Sequence, residues 1–259
     1  LLEALKDEEW DYIVFQQASS FAGQYSSYFP ELKELMEYVK ANATNPNVKY
    51  AMQQTWAYAK DSNHPGFFRY GKDQKAMYED VVFSYDKAAQ KQNISIVIPT
   101  GTAIQNGRTS YLGDTFNRPD GTMYYHLETT YGRYTAACTW FGALLGDVRH
   151  NTYQPETVND NQAKIARQSA YAAIQEPDKV TDMSRYDPPI SFESPVYVDF
   201  GSGKSSSPWN NVTISAATVP VTLVDANGNN TGLKLTVSND FENYEGHGGK
   251  NETTMRKEL

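Results

Sequence analysis

Three short apolar segments near the start of the chain alternate with two segments of helical spacing, and this order limits the possible folds. The apolar segments each run into polar residues: WDYIVFQQASS, VKYAMQQTWAYA and ISIVIPTGTAIQNGR. Between them lie YFPELKELMEYVKAN and KDQKAMYEDVVFSYDKAAQKQN, whose apolar residues recur at helical intervals. Strands joined through helices pair in parallel. The sequence therefore predicts an α/β domain with an open parallel sheet.

The composition changes after two further predicted helices, and this change suggests the domain organisation. TTYGRYTAACTWFGALLG is predicted to end at Gly146, and NDNQAKIARQSAYAAIQEP to end at Pro177. Residues 178–194 form a proline-bearing linker in this interpretation. Residues 195–259 contain short β-branched runs broken by glycine and asparagine, which predict an all-β module of the sandwich type. There, DANGNN is better explained as a hairpin turn than as a calcium loop.

Composition and charge exclude several classes of function. The 259 residues carry a net charge of −8 and show no basic cluster, so nucleic acid is not an expected partner. No apolar stretch approaches the ~20 residues of a membrane span. The single cysteine, Cys138, excludes an intrachain disulfide and a cysteine zinc site, and it is predicted to be buried. Neither a metal nor a cofactor is expected, because no ligand motif is present.

The crevice of an open α/β sheet lies beyond the carboxyl ends of its strands. Three loops should converge there, namely Gln16–Ser20, Gln53–Trp56 and Pro99–Arg108. The candidate substrate-binding residues in these loops are Gln17, Ser19, Gln54, Trp56 and Arg108.

Each of these candidates has a chemical reason and an alternative. Gln17 and Ser19 could donate hydrogen bonds to a developing oxyanion. Ser19 is a less favoured nucleophile, since no Gly-x-Ser-x-Gly elbow surrounds it. Gln54 and Trp56 suit a sugar platform or form a buried structural pair. Arg108 could bind an anionic or hydroxylated substrate, or cap a helix.

His126 is the candidate general base, because an imidazole titrates near neutrality and shuttles protons when a carboxylate fixes its tautomer. Asp120 and Asp114 are the candidate orienting residues. The alternative is that His126 is only a polar residue at a helix start. His64 and His150 are predicted to be ordinary surface residues, since neither has a second ligand at metal spacing.

Four ordered segments, WDYIVFQQASS, QQTWAYA, PTGTAIQNGR and YHLETTYGRYTAACTWFGALLG, resemble SGNH-hydrolase proteins of the DUF4886 type. The resemblance covers about residues 1–176. It implies a flavodoxin-like three-layer α/β/α sandwich. The region from about residue 195 is similar to β-sandwich modules attached to esterases and glycan-degrading proteins.

By this resemblance the activity is that of a serine esterase that removes acetyl or other acyl groups from carbohydrates, in a secreted, periplasmic or cell-surface location. His126 matches the family histidine, and Asp120 matches the aspartate across a three-residue insertion in DGTMYYHL. Gln17 and Ser19 occupy the family's oxyanion-side position. The nucleophilic serine is expected upstream of Leu1, and the strand beginning at Asp11 should have an open flank.

Two other hypotheses follow from the same residues. One is a non-catalytic glycan-binding protein on a degenerate SGNH scaffold. The other is a structural surface component that assembles through its β module.

Overall fold

The computed structural model describes residues 1–117, 123–188, 194–200, 204–212 and 220–236. The chain divides into two compact units, Leu1–Pro188 and Pro189–Leu259. The boundary lies within the predicted linker. In the part of the chain that the structure describes, no helix is long and apolar enough to cross a membrane.

The first unit contains the predicted parallel sheet. Its strands are β1 (Tyr12–Phe15), β2 (Lys49–Gln53) and β3 (Ile96–Ile98). They lie in the order β1-β2-β3, with Tyr12 opposite Lys49 and Ala51 opposite Ile96. The prediction of a mixed α/β unit with parallel strands is therefore confirmed.

The described part of the first unit also contains six α-helices. They are α1 (Leu2–Asp7), α2 (Glu31–Asn42), α3 (Gln74–Gln92), α4 (Thr100–Gly107), α5 (Tyr131–Leu144) and α6 (Asp160–Gln175). Side chains mark two of the starts. The Asp73 side chain accepts hydrogen bonds from the backbone N–H groups of Lys75 and Ala76 at the start of α3. Asn159 forms a capping box with Gln162 at the start of α6.

Short 3₁₀ helices connect several of these elements. They lie at Ser19–Phe21, Tyr25–Tyr28, Pro65–Tyr70, Gly113–Asn117, Val148–His150 and Ser184–Tyr186.

Apolar side chains of the first unit form three buried clusters. Phe15 and Met52 of the sheet pack with residues of α2 and α3, including Met36 and Tyr85. Two further clusters join α4, α5 and α6 through residues such as Cys138. Cys138 is buried as predicted. Because α5 also contacts β3, the later helices are fixed to the sheet as well as to one another.

One edge of β1 is open within the described residues. The backbone carbonyl of Asp11 accepts a hydrogen bond from Lys49 N at 2.9 Å. Since pairing groups alternate along a strand, the N–H and C=O groups of Tyr12 and Val14 point away from β2. No described strand pairs with that side. This is the flank that the sequence predicts to be open.

The first unit extends beyond its predicted end at Pro177, because the following residues pack onto it. Met183 is fully buried, and its backbone N donates to Thr109 Oγ1 at 2.7 Å. Thr181 N donates to Asn106 Oδ1 at 2.6 Å. Residues 178–188 are therefore part of the packed unit rather than a linker.

The described residues of the second unit form two small two-stranded sheets. β4 (Val198–Asp199) pairs in parallel with β5 (Asn210–Asn211), and β6 (Val221–Val224) pairs antiparallel with β7 (Asn230–Leu235). The carboxylate of Asp225 accepts hydrogen bonds from the backbone N of Asn227 and of Asn229, which closes the β6–β7 turn. The hairpin predicted at DANGNN is confirmed.

Candidate functional site

A group of two histidines, two tyrosines and one serine lies where loops after the sheet strands meet. The 3₁₀ helix Ser19–Phe21 follows β1 and contacts the 3₁₀ helix Pro65–Tyr70, which lies downstream of β2. We call this group the His–Tyr cluster, and its members are Ser19, Tyr58, His64, Tyr125 and His126.

The cluster is held together by one hydroxyl pair and a chain of ring contacts. Ser19 Oγ lies 2.9 Å from the hydroxyl of Tyr58, whose side chain is fully buried. The ring centroid of His64 lies 4.8 Å from that of Tyr58 and 4.7 Å from that of Tyr125. Tyr125 in turn lies 4.0 Å from the ring of His126. Four aromatic rings therefore form one continuous chain of tilted contacts.

His64 has a defined tautomer in this arrangement. It caps the 3₁₀ helix Pro65–Tyr70, where its Nδ1 accepts a hydrogen bond from Gly66 N at 2.9 Å. An Nδ1 atom that accepts cannot carry a proton, so the neutral ring is protonated at Nε2. Burial lowers the pKa of His64, and the positive charges of Arg69 and His126 lower it further. The neutral imidazole is thus the favoured form.

His126 is exposed, but its segment is fixed to neighbouring loops. The Trp56 indole N–H donates to the carbonyl of Tyr125 at 2.7 Å. Asn117 Nδ2 lies 3.3 Å from the carbonyl of His126 and donates to it. Ser62 Oγ donates to the Met123 carbonyl at 2.5 Å. An accessible imidazole on a fixed backbone can exchange protons with a substrate.

Arg108 lies in the interior, which differs from its predicted role in binding substrate. Its side chain is 4% exposed, and its Nε lies 3.0 Å from Asp114 Oδ1. The guanidinium also donates to the Ala57 carbonyl at 2.7 Å and to Asn117 Oδ1. Burial lowers the pKa of Arg108 to about 10, although Asp114 opposes the shift. Arg108 supports the loops and is not open to a ligand.

Asp114 serves the same interior network. Its carboxylate accepts hydrogen bonds from Lys60 N at 2.6 Å and from Gln74 Nε2 at 2.7 Å, besides its ion pair with Arg108. Its described hydrogen bonds therefore go to loop and helix groups rather than to His126. Asp120, the other predicted orienting residue, lies outside the described residues.

Gln54 and Trp56 are also taken up by internal contacts. Gln54 is 2% exposed, and its Oε1 accepts a hydrogen bond from Thr102 N at 2.9 Å near the start of α4. Trp56 is half-buried and holds the Tyr125 carbonyl. Gln54 is therefore a buried structural residue, whereas Trp56 keeps part of its surface exposed. Trp56 helps to position the cluster, because the carbonyl that its indole holds belongs to Tyr125.

Gln17 lies in the segment that follows β1. Its side-chain Nε2 donates to the carbonyl of Ser27 at 2.9 Å, and its backbone N donates to the Tyr85 hydroxyl at 3.1 Å. The residue lines a groove of about 200 Å³, whose other walls are Phe15, Gln16, Ser27, Tyr28, Glu31, Leu32, Leu35 and Met52. The lining combines apolar side chains with the polar side chains of Gln16, Gln17, Ser27 and Glu31.

The sequence did not indicate His64, Tyr58 or Tyr125 as site residues. For His64 the pattern was available, since a histidine directly before Pro-Gly suits a helix start. For the tyrosines no pattern distinguishes them among the 19 in the chain. Among the described residues, no group of three or more His, Cys, Asp or Glu side chains could hold a metal ion.

The first unit is thus an α/β domain with a parallel sheet and a His–Tyr cluster beyond the strand ends. The chain belongs to the DUF4886 family, a domain of unknown function whose model matches residues 2–173. It is 47% identical to a DUF4886 family protein from Bacteroides uniformis ATCC 8492, known from a crystal structure. The match has a TM-score of 0.67 and covers 70% of this chain and 69% of that chain. No curated protein matches.

Proposed function

We propose that the protein is a serine esterase of the SGNH type that removes acetyl or other acyl groups from carbohydrates. The observation that carries this proposal is His126, an exposed imidazole whose backbone is held by Asn117 and whose ring contacts Tyr125, the ring that His64 also contacts. The proposal includes a flavodoxin-like three-layer first domain, a β-sandwich as the second, and a secreted, periplasmic or cell-surface location.

In the proposed reaction a serine oxygen attacks the ester carbonyl carbon, and the π electrons of the carbonyl move to its oxygen. His126 takes the serine proton, and Asp120 stabilises the imidazolium. The intermediate collapses as the C–O bond to the sugar breaks, and His126 returns the proton to the leaving alcohol. Water then releases the acyl group as a carboxylic acid by the same steps.

The open edge of β1 supports a nucleophile carried on another strand. The backbone groups of Tyr12 and Val14 that face away from β2 meet no strand among the described residues, and edges of this kind can pair with one more strand. A serine that follows a strand parallel to β1 would lie at the end of the sheet where Gln17 follows β1. Ser19 is less suited to attack, because its hydroxyl is hydrogen-bonded to the hydroxyl of Tyr58.

The test is hydrolysis of p-nitrophenyl acetate and of acetylated oligosaccharides by the full-length protein. His126→Ala should lower kcat by about 10²–10⁴-fold, the usual contribution of a general base. His150→Ala is the matched control, since His150 is an exposed histidine of the 3₁₀ helix Val148–His150. Unchanged turnover in His126→Ala would contradict the proposal. Oligosaccharide binding without turnover in the wild type would instead favour a glycan-binding protein.

A further inference from the structure

His64 is the titratable group of the cluster that the proposed reaction does not use. It lies on a different segment from His126, yet both rings contact the ring of Tyr125. Its Nδ1 is occupied by the hydrogen bond from Gly66 N. Within the described residues its Nε2 has no protein hydrogen-bond partner. One donor of a half-buried imidazole is therefore available to a ligand.

We propose that His64 is a second catalytic histidine, which donates a hydrogen bond from Nε2 to the substrate oxygen on which negative charge develops. This inference rests on the proposed function and adds to it. It assigns opposite tasks to two neighbouring imidazoles: His126 accepts a proton, and His64 donates a hydrogen bond without transferring its proton.

The helix cap keeps His64 in the donor form. A second proton would have to reside on Nδ1, where it would face the N–H of Gly66 at 2.9 Å between heavy atoms. Two donors cannot form a hydrogen bond with each other, so protonation of Nδ1 would break the bond that caps the helix. Burial and the charges of Arg69 and His126 lower the pKa of His64 in the same direction. A neutral imidazole whose donor direction is fixed is suited to stabilise an oxyanion.

Close packing restricts the movement of the His64 ring. The ring contacts the ring of Tyr58 and the ring of Tyr125. Gly66 leaves no room for a side chain, because an added Cβ would overlap Ser20 and would lie 3.0 Å from His64 Nδ1. The donor is thus oriented before a substrate arrives, which is the condition under which a hydrogen bond contributes most to the rate.

Two substitutions separate the donor from the cap. His64→Asn places an amide oxygen near Nδ1, where it can still accept from Gly66 N, but it removes the donor at Nε2. His64→Gln reaches the position of Nε2 with an amide N–H but gives up the cap. We expect His64→Asn to lower kcat about 10²-fold at unchanged KM and unchanged melting temperature. His64→Gln should retain more activity than the asparagine variant and melt at a lower temperature.

If His64 only caps the helix, the activities of the two variants should follow the reverse order. His64→Asn would then keep full turnover of p-nitrophenyl acetate, and His64→Gln would lose it along with stability. That result would overturn the inference.

Imidazole NMR of the full chain distinguishes a failure of this inference from a failure of the proposed esterase. Long-range ¹H–¹⁵N spectra should show His64 neutral and protonated at Nε2 at pH 7. Sodium acetate, the product of acetyl ester hydrolysis, should shift that Nε2–H resonance in wild type and in His126→Ala. If turnover is absent but the shift occurs, the esterase proposal fails and His64 remains a donor to acyl oxygens. A resonance insensitive to acetate, or a proton on Nδ1, would refute the role of His64.

Discussion

Replacing Asp114 with alanine removes the carboxylate that balances an almost completely enclosed guanidinium. The side chain of Arg108 is 4% exposed, whereas that of Asp114 is 21% exposed. The change also removes the acceptor of Lys60 N and one of the two acceptors of Gln74 Nε2, which keeps its hydrogen bond to the Tyr58 carbonyl. Loss of one partner of a buried ion pair costs about 3–5 kcal/mol. We expect Asp114→Ala to lower the free energy of unfolding of the first unit by that amount, and Asp114→Asn to lower it less.

Urea unfolding followed by far-ultraviolet circular dichroism measures this change, because all α-helices of the described residues lie in the first unit. With a denaturant slope of about 2 kcal/mol/M, the midpoint should fall by about 2 M. Glu79→Ala is the control, since Glu79 forms an exposed ion pair with Lys75. Its loss should lower the free energy of unfolding by at most about 0.5 kcal/mol. A midpoint for Asp114→Ala that matches the control would refute the assignment of this pair as a buried support.

Three further outcomes follow from other parts of the first unit. Gly101→Ala should cost about 1–3 kcal/mol of stability in urea unfolding, because the new methyl overlaps the carbonyl oxygen of Thr55, whereas Gly146→Ala meets no atom within 4 Å. Burial raises the pKa of the Cys138 thiol to about 11, so at pH 8 a thiol reagent should modify it only after unfolding, and fast modification of the folded protein would contradict this burial. Hydrogen bonds from Arg149 lower the pKa of Asp147 from 3.8 to about 2. The stabilisation that Asp147 gives the folded state is therefore present above pH 3.8 and is lost as the pH falls through about 2. Asp147→Asn should therefore lower the urea midpoint at pH 7 but not below pH 2, and an equal effect at both pH values would contradict the shift.

The sheet could be predicted because its physical cause is local. Tyr12–Phe15 and Ile96–Ile98 are apolar and rich in residues that favour strands, and the intervening α2 and α3 repeat their apolar residues at helical spacing. The same reasoning could not detect Met183. A single buried side chain in a polar, proline-bearing stretch has no periodicity, so its burial depends on partners that only the folded chain supplies.

The candidate site was predicted less well, because a polar residue at a strand end has two possible uses. It can face a ligand, or it can satisfy buried backbone groups of the loops. Gln54 and Arg108 take the second role, and their acceptors and donors are at Thr102, Ala57 and Asn117. Thr102 lies 48 residues from Gln54, and Ala57 lies 51 residues from Arg108, so no spacing rule separates the two cases.

The Arg108–Asp114 ion pair is connected to the His–Tyr cluster through hydrogen bonds. Arg108 donates to the carbonyl of Ala57, the residue directly before Tyr58. It also donates to Asn117, whose amide nitrogen donates to the carbonyl of His126. One guanidinium therefore connects the segment that carries a cluster tyrosine with the segment that carries the exposed histidine. Since Asp114 neutralises this guanidinium, the geometry of the cluster depends on a carboxylate that does not belong to it. Polar residues that could be taken for ligand-binding groups thus act on the site through the backbone that they hold.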